Sequence, residues 1–219
     1  QYVPDKVLDG HKRLLGVWTN TTTEVFPMMK SSLPDGRTVQ DVAGGPFEGL
    51  LVADFGRVLA GPYCTMLLAD LGATVIKVES PLGDETRSYR PPEYRGESTY
   101  FLSINRNKQS VVLDFRNPDD LVLAQRLAAR ADVVTENFKP GGLRRFGLDY
   151  ESVKRENPSV IYASITGFGT AGGAGLAGYD LLAQALSGRM SVTGAPNTEG
   201  FRAGVAVFDV ITGLHTCIA

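Results

Sequence analysis

The chain has 219 residues, of which 43% are hydrophobic and 21% are charged, as in globular proteins that bury a core. This composition excludes a collagen-like or wholly disordered chain, and the longest uncharged stretch, residues 159–179, is broken by glycines and predicts no membrane span. A net charge of −2 provides no basic field for nucleic acid or for an anionic membrane. Cys64 and Cys217 belong to no CxxC or Cys/His cluster, which favours a reducing, cytoplasmic setting.

The two ends of the chain differ from its middle. Residues 1–46 contain turn signals at 20–23 and 34–36 and few periodic apolar stretches, so we interpret them as an upstream segment, a linker or the tail of a preceding module. The last predicted helix begins near residue 208 and stops without a capping signal. We therefore expect residues 47–219 to be the first part of a longer domain.

Between these ends, short apolar runs alternate with helical patterns. The predicted strands are residues 50–54, 74–79, 110–114, 132–135 and 160–165, and the predicted helices are residues 60–71, 118–131, 151–156 and 180–186. Strands separated by helices predict an α/β fold, a Rossmann-like parallel sheet with helices on both faces. Residues 80–100 are rich in proline and charge and predict a long irregular loop.

A glycine-rich motif at residues 167–172 matches GxGxxG and follows a predicted strand. A dinucleotide site requires a helix that opens directly after this motif, so that its N-terminus holds the pyrophosphate. Residues 173–178 are too rich in glycine to begin a helix. The motif therefore predicts a flexible active-site loop, and no nicotinamide cofactor is expected.

Basic residues cluster in the predicted loops at the strand ends, where open α/β sheets bind ligands. One interpretation is an anionic ligand such as a phosphorylated nucleotide. The other is a solvated surface, which is the favoured interpretation for most of these residues taken individually. Arg57 and Arg116 favour the ligand because each follows a strand closely. The group comprises Arg57, Arg87, Arg90, Arg106, Lys108, Arg116, Lys139, Arg144 and Arg145.

Histidine and aspartate are two further residue types that could bind a metal ion or take part in catalysis. His11 and His215 have no cysteine or carboxylate at metal-ligand spacing, so no metal site is indicated. Asp209 interrupts an apolar run where a helix begins, which is typical of an N-cap and also compatible with a functional carboxylate.

An ordered series of short motifs resembles one enzyme family. The series comprises VLAGPYCT at residues 58–65, LADLGA at 68–73, VIKVE at 75–79, NRNK at 105–108, ENFKPG at 136–141, ASITGFG at 163–169 and GYD at 178–180. In this order, over residues 47–219, the chain resembles the opening part of the family III CoA-transferases, which include formyl-CoA transferase and the carnitine CoA-transferases. The resemblance implies a Rossmann-like large domain, of which this is the N-terminal part, and a homodimer of two interlocked chains.

The resemblance also implies roles for individual residues. The catalytic aspartate of the family falls on Asp209. Ser80 and Ala177 stand where some members have an arginine and a lysine, which weakens the expected contacts to the nucleotide phosphates. The expected positions of contact with coenzyme A, together with Arg57, are Val58, Leu59, Ala60, Leu113, Arg116, Asn137, Phe138, Arg145, Phe146 and Tyr179.

The implied reaction transfers coenzyme A from an acyl-CoA thioester to a carboxylic acid, through an aspartyl anhydride and an enzyme–CoA thioester on Asp209. A racemase of 2-methylacyl-CoA within the same superfamily is the first alternative. Its catalytic histidine falls on Tyr179 here, and a phenol is a poor base at neutral pH. A non-catalytic segment that binds coenzyme A or forms a dimer is the second alternative.

Overall fold

The computed structural model describes the backbone of residues 14–17 and all of residues 45–219. The predicted turns at 20–23 and 34–36 lie outside the described residues. The strands are β1 (Leu14–Val17), β2 (Leu51–Asp54), β3 (Thr74–Glu79), β4 (Glu93–Tyr94), β5 (Glu97–Ser98), β6 (Gln109–Val112), β7 (Val133–Glu136) and β8 (Ile161–Ser164). The α-helices are α1 (Ala60–Asp70), α2 (Thr99–Asn105), α3 (Pro118–Arg130), α4 (Tyr150–Glu156), α5 (Asp180–Leu186) and α6 (Val207–Ile218).

The main sheet has six strands in the order β1-β6-β3-β2-β7-β8. Five of them, β6, β3, β2, β7 and β8, run parallel, which confirms the predicted parallel sheet. β1 adds to its edge as an antiparallel partner of β6, a strand that the sequence pattern did not predict. From central β2 the chain winds outward through β3 and β6, and then returns to pair β7 with β2. The order of the strands therefore reverses between β2 and β7.

Helices cover both faces of the sheet because successive strand residues point to opposite sides. Val52 and Val75 pack with Leu68 of α1 on one face. Ala53 and Ile76 lie in the larger core cluster of the other face, together with Leu127 and other apolar residues of α3. The predicted placement of helices on both faces is thus confirmed.

The ends of two predicted helices are confirmed by their capping geometry. Asn117 Oδ1 accepts hydrogen bonds from the backbone N–H groups of Asp119 and Asp120, and Pro118 occupies the first position of α3. After α1, Gly72 has φ +104°, and a Cβ atom there would lie 2.9 Å from Gly45 Cα, so only glycine fits.

The prediction of an irregular loop at residues 80–100 was wrong in part. A 3-10 helix (Glu85–Ser88) and the two-stranded hairpin β4–β5 lie within it, and α2 begins at its end. The Ser98 hydroxyl caps α2 by accepting from the backbone N–H of Phe101. This helix has only seven residues, too few for its apolar period to stand out in the sequence.

The C-terminal helices attach to the sheet region through α1. Helix α6 crosses α1 closely at Gly213, where a Cβ atom would lie 2.7 Å from the carbonyl oxygen of Ala60 and 3.1 Å from the Tyr63 ring. Helix α5 packs against α6. None of the helices in residues 45–219 is long and apolar enough to cross a membrane.

Candidate active site

A cavity of about 290 Å³ lies at the carboxyl ends of the parallel strands, where the strand order reverses. Ligands bind at this point in open α/β sheets, because the loops after two neighbouring strands diverge there and leave a crevice. The walls are the loop after β2 (residues 57–60), the loop after β7 (137–140), the loop after β8 (165–169), the glycine-rich residues 173–178, and the first turns of α5 and α6.

The loop after β2 is held in a strained conformation by its neighbours. The Asn137 side chain accepts from the Arg57 backbone N–H at 2.8 Å and donates to the Arg57 carbonyl at 2.7 Å. The next residue, Val58, has φ +65°, which is rare for a β-branched side chain. Its backbone N–H donates to Asp84 Oδ2 at 3.3 Å. Such strain is found where the surrounding structure imposes it, commonly at functional sites.

Beneath this loop, buried charges fix the carboxyl end of β2. Asp54 is fully buried and accepts hydrogen bonds from Thr65 Oγ1 at 2.6 Å and from Lys108 Nζ at 3.0 Å. Lys77 is also buried, and its Nζ lies 2.9 Å from both Asp84 Oδ2 and the Gly56 carbonyl oxygen. These contacts tie β2, β3, α1 and the segment before β6 into one polar network.

The pKa values in this network have opposing causes. Burial alone would raise the pKa of Asp54, but Lys108, Lys77 and the hydrogen bond from Thr65 together lower it below its usual value. Burial lowers the pKa of Lys108 to about 8, because Asp54 offsets only part of the cost of burying the ammonium group and Lys77 repels it.

Asp209 lies in the first turn of α6 and lines the cavity. The prediction that it is an N-cap was wrong: the N-cap position is Ala206, whose side chain has no oxygen, and Asp209 is the third helical residue. Burial, and then the nearby carboxylate of Asp180, raise the pKa of Asp209 to about 6. At neutral pH Asp209 is therefore ionised but partly stripped of water, and a desolvated carboxylate is a stronger nucleophile.

The structure brings most of the predicted site residues to this cavity. Arg57 and Phe138 face each other, with the guanidinium carbon 5.0 Å from the centre of the phenyl ring. Tyr179 is exposed just before α5. The predicted residues that line the cavity are Arg57, Val58, Leu59, Ala60, Asn137, Phe138, Tyr179 and Asp209.

The other four predicted residues do not line it. Leu113 is buried in the core beyond β6. Phe146 packs on Phe115, with ring centres 5.3 Å apart, and the Arg145 guanidinium carbon lies 4.5 Å from the centre of the Phe146 ring. Arg116 is exposed and pairs with Asp114. These four residues follow β6 and β7 in the chain and lie outside the cavity lining.

Several basic residues of the predicted ligand cluster have structural partners instead. Arg87 pairs with Glu79 and stacks on the Phe101 ring, and Arg106 pairs with Asp70. Lys108 is neither a ligand-facing nor a surface residue, since it is 1% exposed within the Asp54 network. Sequence alone placed these side chains near strand ends but gave no sign of their partners.

The glycine-rich motif opens no helix, as predicted. Residues 167–178 form turns, and α5 begins only at Asp180. A Cβ atom on Gly167 would lie 2.4 Å from Gly178 Cα, so the two ends of the segment 167–178 touch, and residues of this compact loop line the cavity. Within residues 45–219, no group of histidine, cysteine, aspartate and glutamate side chains is arranged to hold a metal ion.

Lys139, a member of the predicted basic group, also lines the cavity. Three lining or supporting residues were not identified from the sequence: Glu85, Asp180 and Gln184. Asp180 carried one signal, because it ends the GYD motif of the resemblance. Its carboxylate accepts hydrogen bonds from the backbone N–H groups of Phe208 and Asp209. No local pattern connects residues that lie so far apart in the chain.

Comparisons with known proteins agree with this geometry. The family model described as CoA-transferase family III matches residues 47–219. The chain is 48% identical over 182 residues to a succinate–glutarate CoA-transferase of Agrobacterium fabrum, covering 80% of this chain and 46% of that protein. It is 49% identical over 172 residues to the succinyl-CoA:glutarate CoA-transferase of Homo sapiens, covering 78% and 39%.

A solved structure shares the fold. The crystal structure of a CAIB/BAIF family protein from Brucella suis superposes with a TM-score of 0.77 at 50% identity, covering 80% of this chain and 48% of that one. The chain thus spans less than half the length of the relatives that it matches. Its ordered motifs, its cavity at the strand reversal and the match over residues 47–219 lead to one conclusion: the chain belongs to CoA-transferase family III.

Proposed function

We propose that the full-length protein transfers coenzyme A from an acyl-CoA thioester to a carboxylic acid, with Asp209 as the nucleophile. The observation that carries the proposal is the position of Asp209: a partly buried carboxylate, with its pKa raised to about 6, in the wall of a cavity at the strand reversal. The names of the relatives support the reaction class, since they are CoA-transferases.

We further propose that the acyl group and the acceptor are short dicarboxylic acids. The relatives are named for succinate, glutarate, oxalate and mesaconate. Arg57 and Lys139 line the cavity and supply positive charge for a second carboxylate. Arg57 is suited to this role because its backbone is clamped by Asn137, while its side chain remains half exposed.

The proposed reaction proceeds through covalent intermediates of two kinds on Asp209, a mixed anhydride and a thioester with coenzyme A. The carboxylate attacks the thioester carbonyl, a C–O bond forms, the C–S bond breaks, and the electron pair leaves on the CoA thiolate. The thiolate attacks the aspartyl carbonyl of this anhydride and expels the donor acid, which leaves an Asp209–CoA thioester. The acceptor carboxylate repeats the first step on that thioester, and the thiolate then takes the acceptor's acyl group and restores Asp209.

The residues around the cavity are proposed to hold coenzyme A. Val58, Leu59 and Ala60 offer a fixed backbone edge, and Phe138 and Tyr179 offer aromatic faces for the pantetheine or adenine groups. Arg116, Arg145 and Phe146 do not line the cavity, and we propose that they contact the nucleotide end of coenzyme A. Leu113 contributes through the backbone, because its side chain is buried in the core.

We also propose an oligomeric state and a compartment for the full-length protein. We propose a homodimer of interlocked chains, as the resemblance implies, in a reducing cytoplasm. Cys64 and Cys217 are both free thiols, which suits that compartment. Sedimentation of the full-length protein tests the dimer.

The test uses the full-length protein and its Asp209→Asn and Asp209→Ala variants. With succinyl-CoA as donor and glutarate, oxalate or mesaconate as acceptor, we expect the wild type to form the new thioester and both variants to lose about 10⁴-fold or more in kcat. Affinity for coenzyme A should stay within a few-fold, because the carboxylate reacts with the acyl group. Glu151→Gln on α4, outside the cavity, serves as the matched carboxylate control and should keep full activity.

Trapping identifies the nucleophile directly. Hydroxylamine added during turnover should leave a hydroxamate on the peptide that contains Asp209. Transfer that survives in Asp209→Asn, or an adduct on Asp180, contradicts the assignment. Exchange of the α-proton of 2-methylacyl-CoA in D2O without transfer would favour the racemase.

A further inference from the structure

The N-terminus of α6 lacks a cap from its own segment. Ala206, at the N-cap position, has no side-chain acceptor. The carboxylate of Asp180 supplies it instead: Oδ1 accepts from the backbone N–H of Phe208 at 2.7 Å and from that of Asp209 at 3.2 Å. A carboxylate at a helix N-terminus is favoured both by these charge-assisted hydrogen bonds and by the helix dipole.

Asp180 is itself held in place by Gln184, one turn later on α5. Gln184 is 2% exposed, and its Nε2 donates to Asp180 Oδ2. Its Oε1 accepts from the backbone N–H of Ala203 at 2.7 Å, in the segment that leads into α6. The Asp180–Gln184 pair therefore grips this segment at Ala203 and the first turn of α6 at Phe208 and Asp209.

The Asp180–Gln184 pair stabilises a region in which few side chains are buried. Of residues 166–219, Gln184 and Gly213 are the two that are buried. Near Asp209, the contact between α5 and α6 is therefore made by the hydrogen bonds of Asp180 and Gln184, which we call the Asp180 clamp. One turn further along α6, Gly213 packs against α1. Small changes in the position of a reacting group have large effects on rate, so the clamp bears on catalysis.

We infer that Asp180, held by Gln184, is a positioning residue for Asp209: it fixes the first turn of α6, and its negative charge disfavours the ionised Asp209 relative to the neutral acylated forms. This inference rests on the proposed nucleophilic role of Asp209. In that reaction the charge on Asp209 is transferred to the CoA thiolate as the anhydride forms. Two neighbouring carboxylates repel each other before this step, and the repulsion is relieved after it.

The other groups around Asp209 leave Asp180 as its main charged neighbour. After burial, the charge on Asp180 is what raises the pKa of Asp209. From α2, the Tyr100 phenol faces Asp209 and has its pKa raised to about 12 by burial and then by Asp209, so it is neutral at working pH. The remaining titratable groups that line the cavity or face α6 from α1 and α5 are Arg57, Glu85, Lys139, Tyr179, Tyr63 and Cys64.

Two variants separate the charge from the cap. Asp180→Asn keeps an oxygen that can accept from the α6 backbone but removes the charge, and Asp180→Ala removes both. We expect the rate of Asp209 acylation by succinyl-CoA in a single turnover to fall about tenfold in Asp180→Asn and about 100-fold in Asp180→Ala. In both variants, the midpoint of the acid limb of the pH–rate profile should move to lower pH.

A matched control removes a cap of the same kind elsewhere. Asn117→Ala deletes the two hydrogen bonds at the start of α3, a helix that carries no cavity residue. Asn117→Ala should lower the Tm about as much as Asp180→Ala does. It should leave both the rate of Asp209 acylation and the midpoint of the acid limb of the pH–rate profile unchanged. If Asp180→Asn and Asp180→Ala behave like Asn117→Ala, Asp180 has a structural role alone and the inference is overturned.

A second measurement does not depend on activity. The carboxyl carbon of Asp209, followed by 13C NMR in wild type and Asp180→Asn, reports the pKa directly, and it should fall in the variant. An unchanged Asp209 pKa overturns the inference even where Asp209 is trapped as an adduct. Conversely, a wild type without any adduct on Asp209 defeats the proposed function, whereas a lowered pKa in Asp180→Asn would still show the coupling.

Discussion

The two halves of the cavity are built in different ways. The sheet half, residues 45–165, contains nearly all of the buried side chains and fixes its loops with a buried ionic network centred on Asp54. The C-terminal half, residues 166–219, has two buried residues, Gln184 and Gly213, and leaves many large apolar side chains exposed, such as Leu186, Val192 and Ile218. Asp209 lies in this second half.

This difference shows where stability and reactivity reside in the chain. The sheet half supplies a rigid wall with strained backbone at Val58, since the network beneath it resists relaxation. The proposed nucleophile, Asp209, lies on a helix that depends on two local contacts, the Asp180 clamp and the close approach at Gly213. We therefore expect the largest effects on stability from the network, and effects on stability and activity together from the contacts of α6.

The largest effect is expected for Asp54→Asn in the full-length protein. The amide cannot balance the charge on buried Lys108, and breaking a buried ion pair costs about 3–5 kcal/mol. Denaturant unfolding at pH 7 measures this loss. The exposed pair Arg90–Glu93 provides the control, since Glu93→Gln should change the free energy of unfolding by less than about 0.5 kcal/mol.

The same variant carries a pH signature. The pKa of Lys108 is about 8 in the folded wild type, and loss of the Asp54 carboxylate lowers it further in the variant. Between these two pKa values only the folded wild type keeps the proton, so the difference in stability between wild type and Asp54→Asn should shrink from pH 7 to about pH 8 and then level off. A difference that stays constant or grows over this range would mean that Lys108 is not the partner that matters.

Gly213→Ala tests the joint between the two halves. Alanine favours a helix over glycine by about 1 kcal/mol, but here the new methyl group would lie 2.7 Å from the Ala60 carbonyl oxygen and push α6 away from α1. We expect a net loss of about 1–3 kcal/mol in the free energy of unfolding and a lower kcat, because Asp209 moves with the helix.

The control for this joint is Gly204→Ala, where a Cβ atom has no neighbour within 4 Å. It should leave thermal unfolding and kcat close to the wild type. If Gly213→Ala stabilises the protein, α6 is not held closely against α1 at this position. That result would contradict our expectation that α6 depends on the contact at Gly213.

The smallest effect is expected from Asp209→Asn on stability. The pKa of Asp209 is raised to about 6 from an ordinary 3.8, so the folded protein binds more protons than the unfolded chain between these values. Stability contributed by this group therefore falls as pH rises from 4 to 6, and the cost is complete above pH 6. Asp209→Asn should gain about 1 kcal/mol at pH 8, after allowance for solvent screening, and nothing near pH 4.

Chemical denaturation at the two pH values measures this difference. Equal stability of wild type and variant at pH 8 would contradict the raised pKa. A gain in stability together with the loss of activity expected of a nucleophile would place Asp209 among residues whose ionisation opposes folding.

Much of the fold was predictable from local pattern. The five parallel strands were found within one or two residues, because short apolar runs bounded by turns are typical of buried parallel strands. The start of α3 was found because Asn117 and Pro118 carry the chemistry of a helix start in adjacent positions. Helix α2 and the β4–β5 hairpin were missed, since seven residues and two-residue strands offer too little periodicity.

The candidate site was predictable in part, because only some of its residues carry a signal in the local sequence. Arg57 was predicted because it closely follows β2, at the end of the strands where open α/β sheets bind ligands. The strand order was not predicted, and only the structure brings the loop after β7, with Asn137, to Arg57. The resemblance predicted a catalytic role for Asp209, which stays a prediction, whereas the local pattern alone predicted an N-cap that the structure corrects to a first-turn position. Neither interpretation of the basic residues, ligand binding or solvated surface, predicted the carboxylate partners of Arg87 and Lys108, because charge at a strand end does not reveal which side chain the fold brings to it.

The sequence by itself determined the parallel α/β architecture, the helix boundaries marked by strong caps, and membership of the family through an ordered set of motifs. Those features depend on residues adjacent in the chain, whose spacing can be read directly. Only the tertiary structure decided that Asp180 caps the helix of Asp209 and that Lys108 neutralises Asp54, across 29 and 54 residues. A hydrogen bond or ion pair of that range depends on where the fold brings two side chains, and burial, which sets their pKa values, exists only after folding.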